Sequence, residues 1–189
     1  MQGDLNRIQV MDDRELLHKI RLGDEQAFDT LFRRFYSMLV GFTESLLRSR
    51  ALAEDVVQDV LLEVWRRRET LELTEGWRSY LFRAARNRAL NALRHARIAQ
   101  NAEPFVRGPE SIEASSPAEL DAAELDREFQ RVLWSLPTVE REVFEMSRRD
   151  GLKYAEIAGV LGVSVKTVEA RMGRVLKVLR TQLADWLPG

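Results

Sequence analysis

Between Gly76 and Ala102 the chain carries no acid, while Arg78, Arg83, Arg86, Arg88, Arg94 and Arg97 are interleaved with Trp77, Tyr80, Phe82, Asn87 and Asn91. Guanidinium groups pair with phosphates, side-chain amides match base edges, and exposed aromatic rings stack on unpaired bases. At helical spacing Leu81, Ala84, Ala85, Ala89, Ala92 and Ala96 form a small-residue face that allows close packing on a neighbour. Arg83, Arg86, Arg94 and Arg97 cluster opposite, with Asn87 beside them. Arg88 falls on the packed side and is expected to pair with an acid. The same residues also fit a merely solvated basic helix with Trp77 and Tyr80 in the core, and the sequence leaves both readings open.

A second basic face lies in Tyr154 to Arg180. Ile157, Ala158 and Leu161 sit at helical spacing, Gly162 is a stop residue that tolerates positive φ, and Ser164 is a good N-cap for a following helix. In that helix Val168, Met172, Val175 and Leu179 make one apolar stripe. The opposite face carries Lys166, Ala170, Gly173 and Lys177, with Arg174 and Arg180 beside it and Arg171 on the shoulder. A small, basic outer face over an apolar inner one suits a helix that enters the major groove of DNA. Ala158 allows two helices to approach closely, which a plain solvated hairpin does not require.

A third surface is of a different kind. The segment Ala53 to Arg68 is expected as a helix with Val57, Val60, Leu61 and Val64 facing inward. Its other side presents Asp55, Gln58, Asp59, Leu62 and Arg66, an exposed leucine ringed by polar groups. Single exposed leucines are often simply tolerated, yet a polar ring around an apolar anchor is the composition of a protein-docking surface.

The elements that must position these faces read as all-α. Asp12 or Asp13 opens a short helix with Leu16, Leu17 and Ile20, ended by Gly23. Asp24 caps a longer one to about Arg48, whose Phe28, Leu31, Phe32, Phe35, Leu39, Phe42 and Leu46 are expected in the core. Residues 99–116 contain prolines and lack an apolar period, so they read as a linker between two small helical domains, 1–98 and 117–189. Ser116-Pro117-Ala118-Glu119 restarts the helices as a capping box, and Thr138 is expected to cap the helix that Gly151 ends. The second domain then comprises four helices, the last two forming a helix-turn-helix.

With 29 basic and 30 acidic residues, the net charge of −1 argues weakly against nucleic acid until it is resolved along the chain. Residues 1–97 hold 17 basic and 15 acidic residues, 98–125 one and six, and 126–189 eleven and nine. The acidity belongs to the middle segment, where it either solubilises the linker or shields a basic face in the unbound protein. With no cysteine and only His18 and His95, thiolate zinc sites, cysteine nucleophiles and histidine metal clusters are excluded or disfavoured. No glycine-rich phosphate loop or carboxylate motif stands out, so neither an enzyme nor a cofactor is expected. No apolar run approaches membrane-spanning length and the N-terminus lacks a signal-peptide pattern, which makes a cytoplasmic protein without membrane insertion the expectation.

The segments AEDVVQDVLLEVW, WRSYLFRAARNRALNALR and LPTVEREVFEMSRRDGLKYAEIAGVLGVSVKTVEARMGRVLKVLR, in this order, resemble a bacterial sigma factor of the extracytoplasmic-function (ECF) group of the sigma-70 family. The likeness covers about residues 13–182. It implies that Asp55, Gln58, Asp59 and Leu62 contact the clamp helices of the RNA polymerase β′ subunit, with the β subunit as a further partner. Trp77, Tyr80, Arg83, Arg86, Asn87, Asn91 and Arg94 then recognise and open the −10 element. Lys166, Thr167, Glu169, Ala170, Arg171, Arg174 and Lys177 fall on the −35 reader. An anti-sigma protein is a further partner the resemblance implies. Two departures stand out: Tyr80 replaces the more usual tryptophan, and Glu169 lies where many relatives carry a basic residue. A carboxylate there is repelled by phosphate but accepts from a cytosine amino group. A stand-alone helix-turn-helix regulator explains residues 126–189 alone and leaves the other two faces without work.

Overall fold

The computed structural model describes residues 12–99 and 117–186. Among these, eight α-helices and one short 3-10 turn occur: α1 (Asp13–Arg21), α2 (Glu25–Leu47), α3 (Arg50–Arg66), α4 (Gly76–Ala99), α5 (Pro117–Ser135), α6 (Thr138–Arg148), α7 (Tyr154–Leu161), α8 (Val165–Gln182) and the turn Ala184–Trp186. The architecture is all-α, and the helices divide into two units, one built from α1 to α4 and the other chiefly from α5 to α8. Residues 100–116 of the expected linker, and with them Ser116 of the capping box, lie outside the described residues; Ala99 ends α4, and Pro117, Ala118 and Glu119 belong to α5. No helix among the described residues is long and apolar enough to cross a membrane.

In the first unit, local chemistry sets the helix ends. The Asp24 carboxylate accepts from the Gln26 and Ala27 amides and starts α2, satisfying two donors that a helix N-terminus leaves open. Ser49 accepts from the Leu52 amide, so α3 starts at Arg50, three residues before the expected Ala53. Thr43 and Ser79 are buried among the apolar side chains. The core joins Leu16 and Ile20 of α1, Leu31, Phe35, Leu39 and Phe42 of α2, Val57, Val60, Leu61 and Val64 of α3, and Trp77, Leu81, Phe82 and Ala85 of α4. The Phe42 and Phe82 rings meet at 5.0 Å in a tilted pair. Leu47 rather than Leu46 completes the inner face of α2, and Phe28 and Phe32 stop at the rim, half-buried.

In the second unit, Val132, Leu133 and Leu136 of α5 pack with Val175 and Leu179 of α8 and with Leu183, flanked by Phe129, Phe144, Val178 and Trp186. Helix α6 begins at Thr138 with Pro137 in the capping position and without a side-chain cap. Thr138 thus lies inside the helix instead of capping it. Proline already holds the extended entry, and its carbonyl accepts from the Glu140 amide at 2.9 Å. Gly162, at φ +65°, makes the turn between α7 and α8 in the left-handed region that a side chain disfavours.

Candidate nucleic-acid and docking interfaces

Helix α8 is built as its spacing predicts. Val168, Met172, Val175 and Leu179 are all buried. Ser164 caps the helix, its hydroxyl accepting from the Thr167 amide and lying 2.9 Å from the Thr167 hydroxyl. Thr167 is therefore half-buried and occupied in the cap, whereas Lys166, Glu169, Ala170, Gly173, Arg174 and Lys177 are exposed and Arg171 is half-exposed. In α7, Ile157, Ala158 and Val160 are the buried residues, with Leu161 only partly covered. Two features were not legible from spacing. Val165, the first residue of α8, is 41% exposed beside Lys166, an apolar group at the helix tip. Arg174 is not free: its Nε donates to Glu140 Oε1 of α6 at 2.5 Å.

Helix α4 departs further from expectation. Trp77 is fully buried, with its ring edge-on to Tyr80 at 6.4 Å, and Phe82 is fully buried as well. Trp77, expected at the −10 DNA face, is thus a core residue in this structure. Exposing so large a ring sacrifices about 2–3 kcal/mol of apolar burial, comparable with the roughly 1–3 kcal/mol that stacking on one base returns. Sequence spacing could not decide this, because Trp77 and Tyr80 are three residues apart and share a helix side. Tyr80 is half-exposed and Asn87, Asn91 and Arg94 are exposed, while Arg83 and Arg86 are half-exposed. Ala85 and Ala89 are buried, Ala84 and Ala92 are half-buried and Ala96 is exposed, so the small-residue face is covered only over the first half of the helix.

The arginines of α4 are held by neighbours. Arg83 lies 3.4 Å from Glu75, and Arg94 donates to Asn91 Oδ1 at 3.0 Å. Arg88 has the acid that the packed side requires: Asp59 of α3, at 3.4 Å. That pair joins the α4 basic helix to the α3 polar face. Both partners are exposed, so it contributes at most about 1 kcal/mol.

On α3, Asp55, Gln58 and Asp59 are exposed and Leu62 is 47% exposed. Phe28 and Phe32 of α2 join Gln58, Leu61 and Leu62 in lining a shallow groove of about 170 Å³. The rim aromatics that sequence placed in the core thus extend the leucine into an apolar cleft that Gln58 also lines. No cluster of histidine, aspartate and glutamate that could hold a metal ion occurs among the described residues.

These faces can be compared with known proteins. The sequence pattern of sigma-70 region 2 matches residues 31–98, and that of sigma-70 region 4 matches residues 126–179. The ECF RNA polymerase sigma factor SigK of Mycolicibacterium vanbaalenii is 31% identical over 169 residues, 87% of this chain and 86% of the relative. SigK of Mycobacterium ulcerans is 28% identical over 172 residues, 89% and 91% of the two chains. Among solved structures, CnrH in complex with the cytosolic domain of CnrY superposes with a TM-score of 0.67 at 28% identity, over 92% of this chain and 97% of that one. The sigma factor RpoE of Bartonella quintana, solved with the anti-sigma factor NepR, shares the fold at a TM-score of 0.64 and 24% identity, over 83% and 96% of the chains. The two region patterns fall on the two helical units, and the full-length relatives cover both. The chain belongs to the ECF group of the sigma-70 family, the RNA polymerase sigma factors that direct promoter recognition.

Proposed function

We propose that the three faces divide the work of transcription initiation. The groove of α2 and α3, with Leu62 as anchor and Asp55, Gln58 and Asp59 around it, docks the β′ clamp helices of core polymerase. Tyr80, Arg83, Arg86, Asn87, Asn91 and Arg94 of α4 capture the separated −10 strand. Lys166, Glu169, Ala170, Arg171, Arg174 and Lys177 of α8, with Thr167 fixing the helix start, read the −35 duplex. The carrying observation is Leu62, half-exposed in an apolar cleft on the helix that packs beside α4 and that also carries the exposed Asp55 and Asp59.

In this reading residues 1–98 serve docking and −10 opening, 117–189 serve −35 binding, and 99–116 join them. No residue breaks a covalent bond. Base pairs open because the unstacked strand gains stacking, amide and phosphate contacts that duplex DNA does not offer. Polymerase supplies the chemistry, in the cytoplasm, and an anti-sigma protein competes for the same faces.

The test is binding of the full chain to bacterial core RNA polymerase. Leu62→Glu and Asp59→Arg are expected to weaken it by about thirtyfold or more, as loss of an interface anchor does, with helical content unchanged. Tight duplex binding without any affinity for core would instead mark a stand-alone regulator and overturn the reading.

A further inference from the structure

Helix α4 needs partners for its first amides, which no residue inside the helix supplies. The residue before it does not serve: the Glu75 carboxylate turns to Arg83. The cap comes from 64 residues upstream, where Asp13 Oδ2 accepts from the Trp77 amide at 3.0 Å. Its other oxygen, Oδ1, takes the Arg34 guanidinium of α2 at 3.2 Å. Gly76 makes the approach possible. Its φ of +80° favours glycine, and a Cβ there would lie 2.9 Å from Asp13 Oδ2. Asp13 is itself the first residue of α1, yet its carboxylate is spent on another helix, and Asp12 makes no side-chain cap to α1. One carboxylate thus ties α1, α2 and the start of α4 together, at the positive end of the α4 dipole. It lies outside the residues 31–98 that the region 2 pattern matches.

We propose that Asp13 is a positioning residue for promoter opening: it fixes where α4 begins and so where Tyr80 and Arg83, in the first two turns, meet the separated strand. This rests on the reading of α4 as the strand-capturing helix. Asn91 and Arg94 stand several turns further on and hold each other. Losing the cap therefore disturbs the Tyr80 end first.

The experiment reconstitutes the full chain with core polymerase on a promoter that the wild-type holoenzyme selects from a random-sequence duplex library. Opening is read by permanganate reactivity of −10 thymines, core affinity by titration, and Trp77 amide protection by hydrogen exchange. Asp13→Ala is expected to lower opening about fivefold and to expose the Trp77 amide, with core affinity within about twofold of wild type. Asp13→Asn keeps the acceptor and is expected to restore opening to within about twofold. If Asp13→Ala fails to fold, Asp13→Glu carries the test: its carboxylate is one methylene too long for the gap over Gly76, and opening falls about two- to threefold. Wild-type opening by Asp13→Ala or Asp13→Glu, a parallel loss of core affinity, or failure of Asp13→Asn to restore opening overturns the proposal. A wild-type chain that ignores core polymerase fails the functional reading itself, before any variant is compared.

Discussion

Helices α4 and α8 carry the two basic faces, and they hold their cations differently. On α4, Arg83 is paired with Glu75, Arg88 with Asp59, and Arg94 with Asn91, and Arg78 and Arg86 are engaged as well. On α8, the side chains of Lys166, Arg171, Lys177 and Arg180 make no hydrogen bond or ion pair among the described residues, and Arg174 alone of these cations is held, by Glu140. Fixed guanidinium groups lose little further freedom on contact, which suits placing an irregular, separated strand. Free lysines and arginines suit a regular duplex, where phosphates recur along the groove and long side chains find them. The acid-free stretch of sequence is thus less naked than it reads, because Glu75 and Asp59 return charge to it from outside.

The inner and outer sides of α4 give the largest contrast. Trp77→Ala should destabilise the first unit by about 3–5 kcal/mol, since a fully buried large aromatic leaves a cavity. Tyr80→Ala, three residues on, should leave denaturant midpoints nearly unchanged and weaken single-strand capture by about 1–3 kcal/mol. Equal stability losses in the two variants would erase the distinction between the buried and the half-exposed aromatic.

On α8, Glu169→Gln should change the preferred base at one −35 position, a discrimination of about 1–3 kcal/mol, read by selection from randomised duplexes in the holoenzyme. Lys177→Ala should weaken binding to all sequences alike and reduce the salt slope by about one. If the held Arg83 gave the same uniform loss and slope change when replaced by alanine, the contrast between fixed and free cations would fail.

The smallest effect concerns the Asp59–Arg88 pair, whose double-mutant cycle should yield less than about 1 kcal/mol of stability coupling in chemical denaturation. A larger value would make the α3 and α4 faces one energetic unit. In α5, a hydrogen bond from Arg131 holds the Glu128 carboxyl below its ordinary range. Its contribution to stability is present above the ordinary carboxylate pKa and fades as pH falls through the lowered one. NMR titration should show that direction, and Glu128→Gln should remove the dependence.

Much of the fold was written in local pattern. The Val168, Met172, Val175 and Leu179 stripe, the Asp24 and Ser164 caps and the Gly162 turn depend on residues within a few positions of one another, so periodicity and capping chemistry decide them. The exposed set Asp55, Gln58, Asp59 and Leu62 was legible for the same reason: one helix side faces a core of valines. Trp77 was not, because the side of α4 that α2 covers depends on how the two helices approach. Nor was the cleft beside Leu62, since it needs Phe28 and Phe32 from a helix whose aromatics all look like core. The partners of Arg88 and Arg174 lie 29 and 34 residues away, on other helices.

By itself, then, the sequence determined the helices, the sign of charge on each face and the order of the three surfaces, because these follow from neighbours along the chain. Tertiary structure alone decided which arginines are held, which aromatic is core, and that Asp13 caps a helix beginning 63 residues later at Gly76. Each of those depends on packing that brings distant segments within hydrogen-bond range, and spacing along one helix carries no record of it.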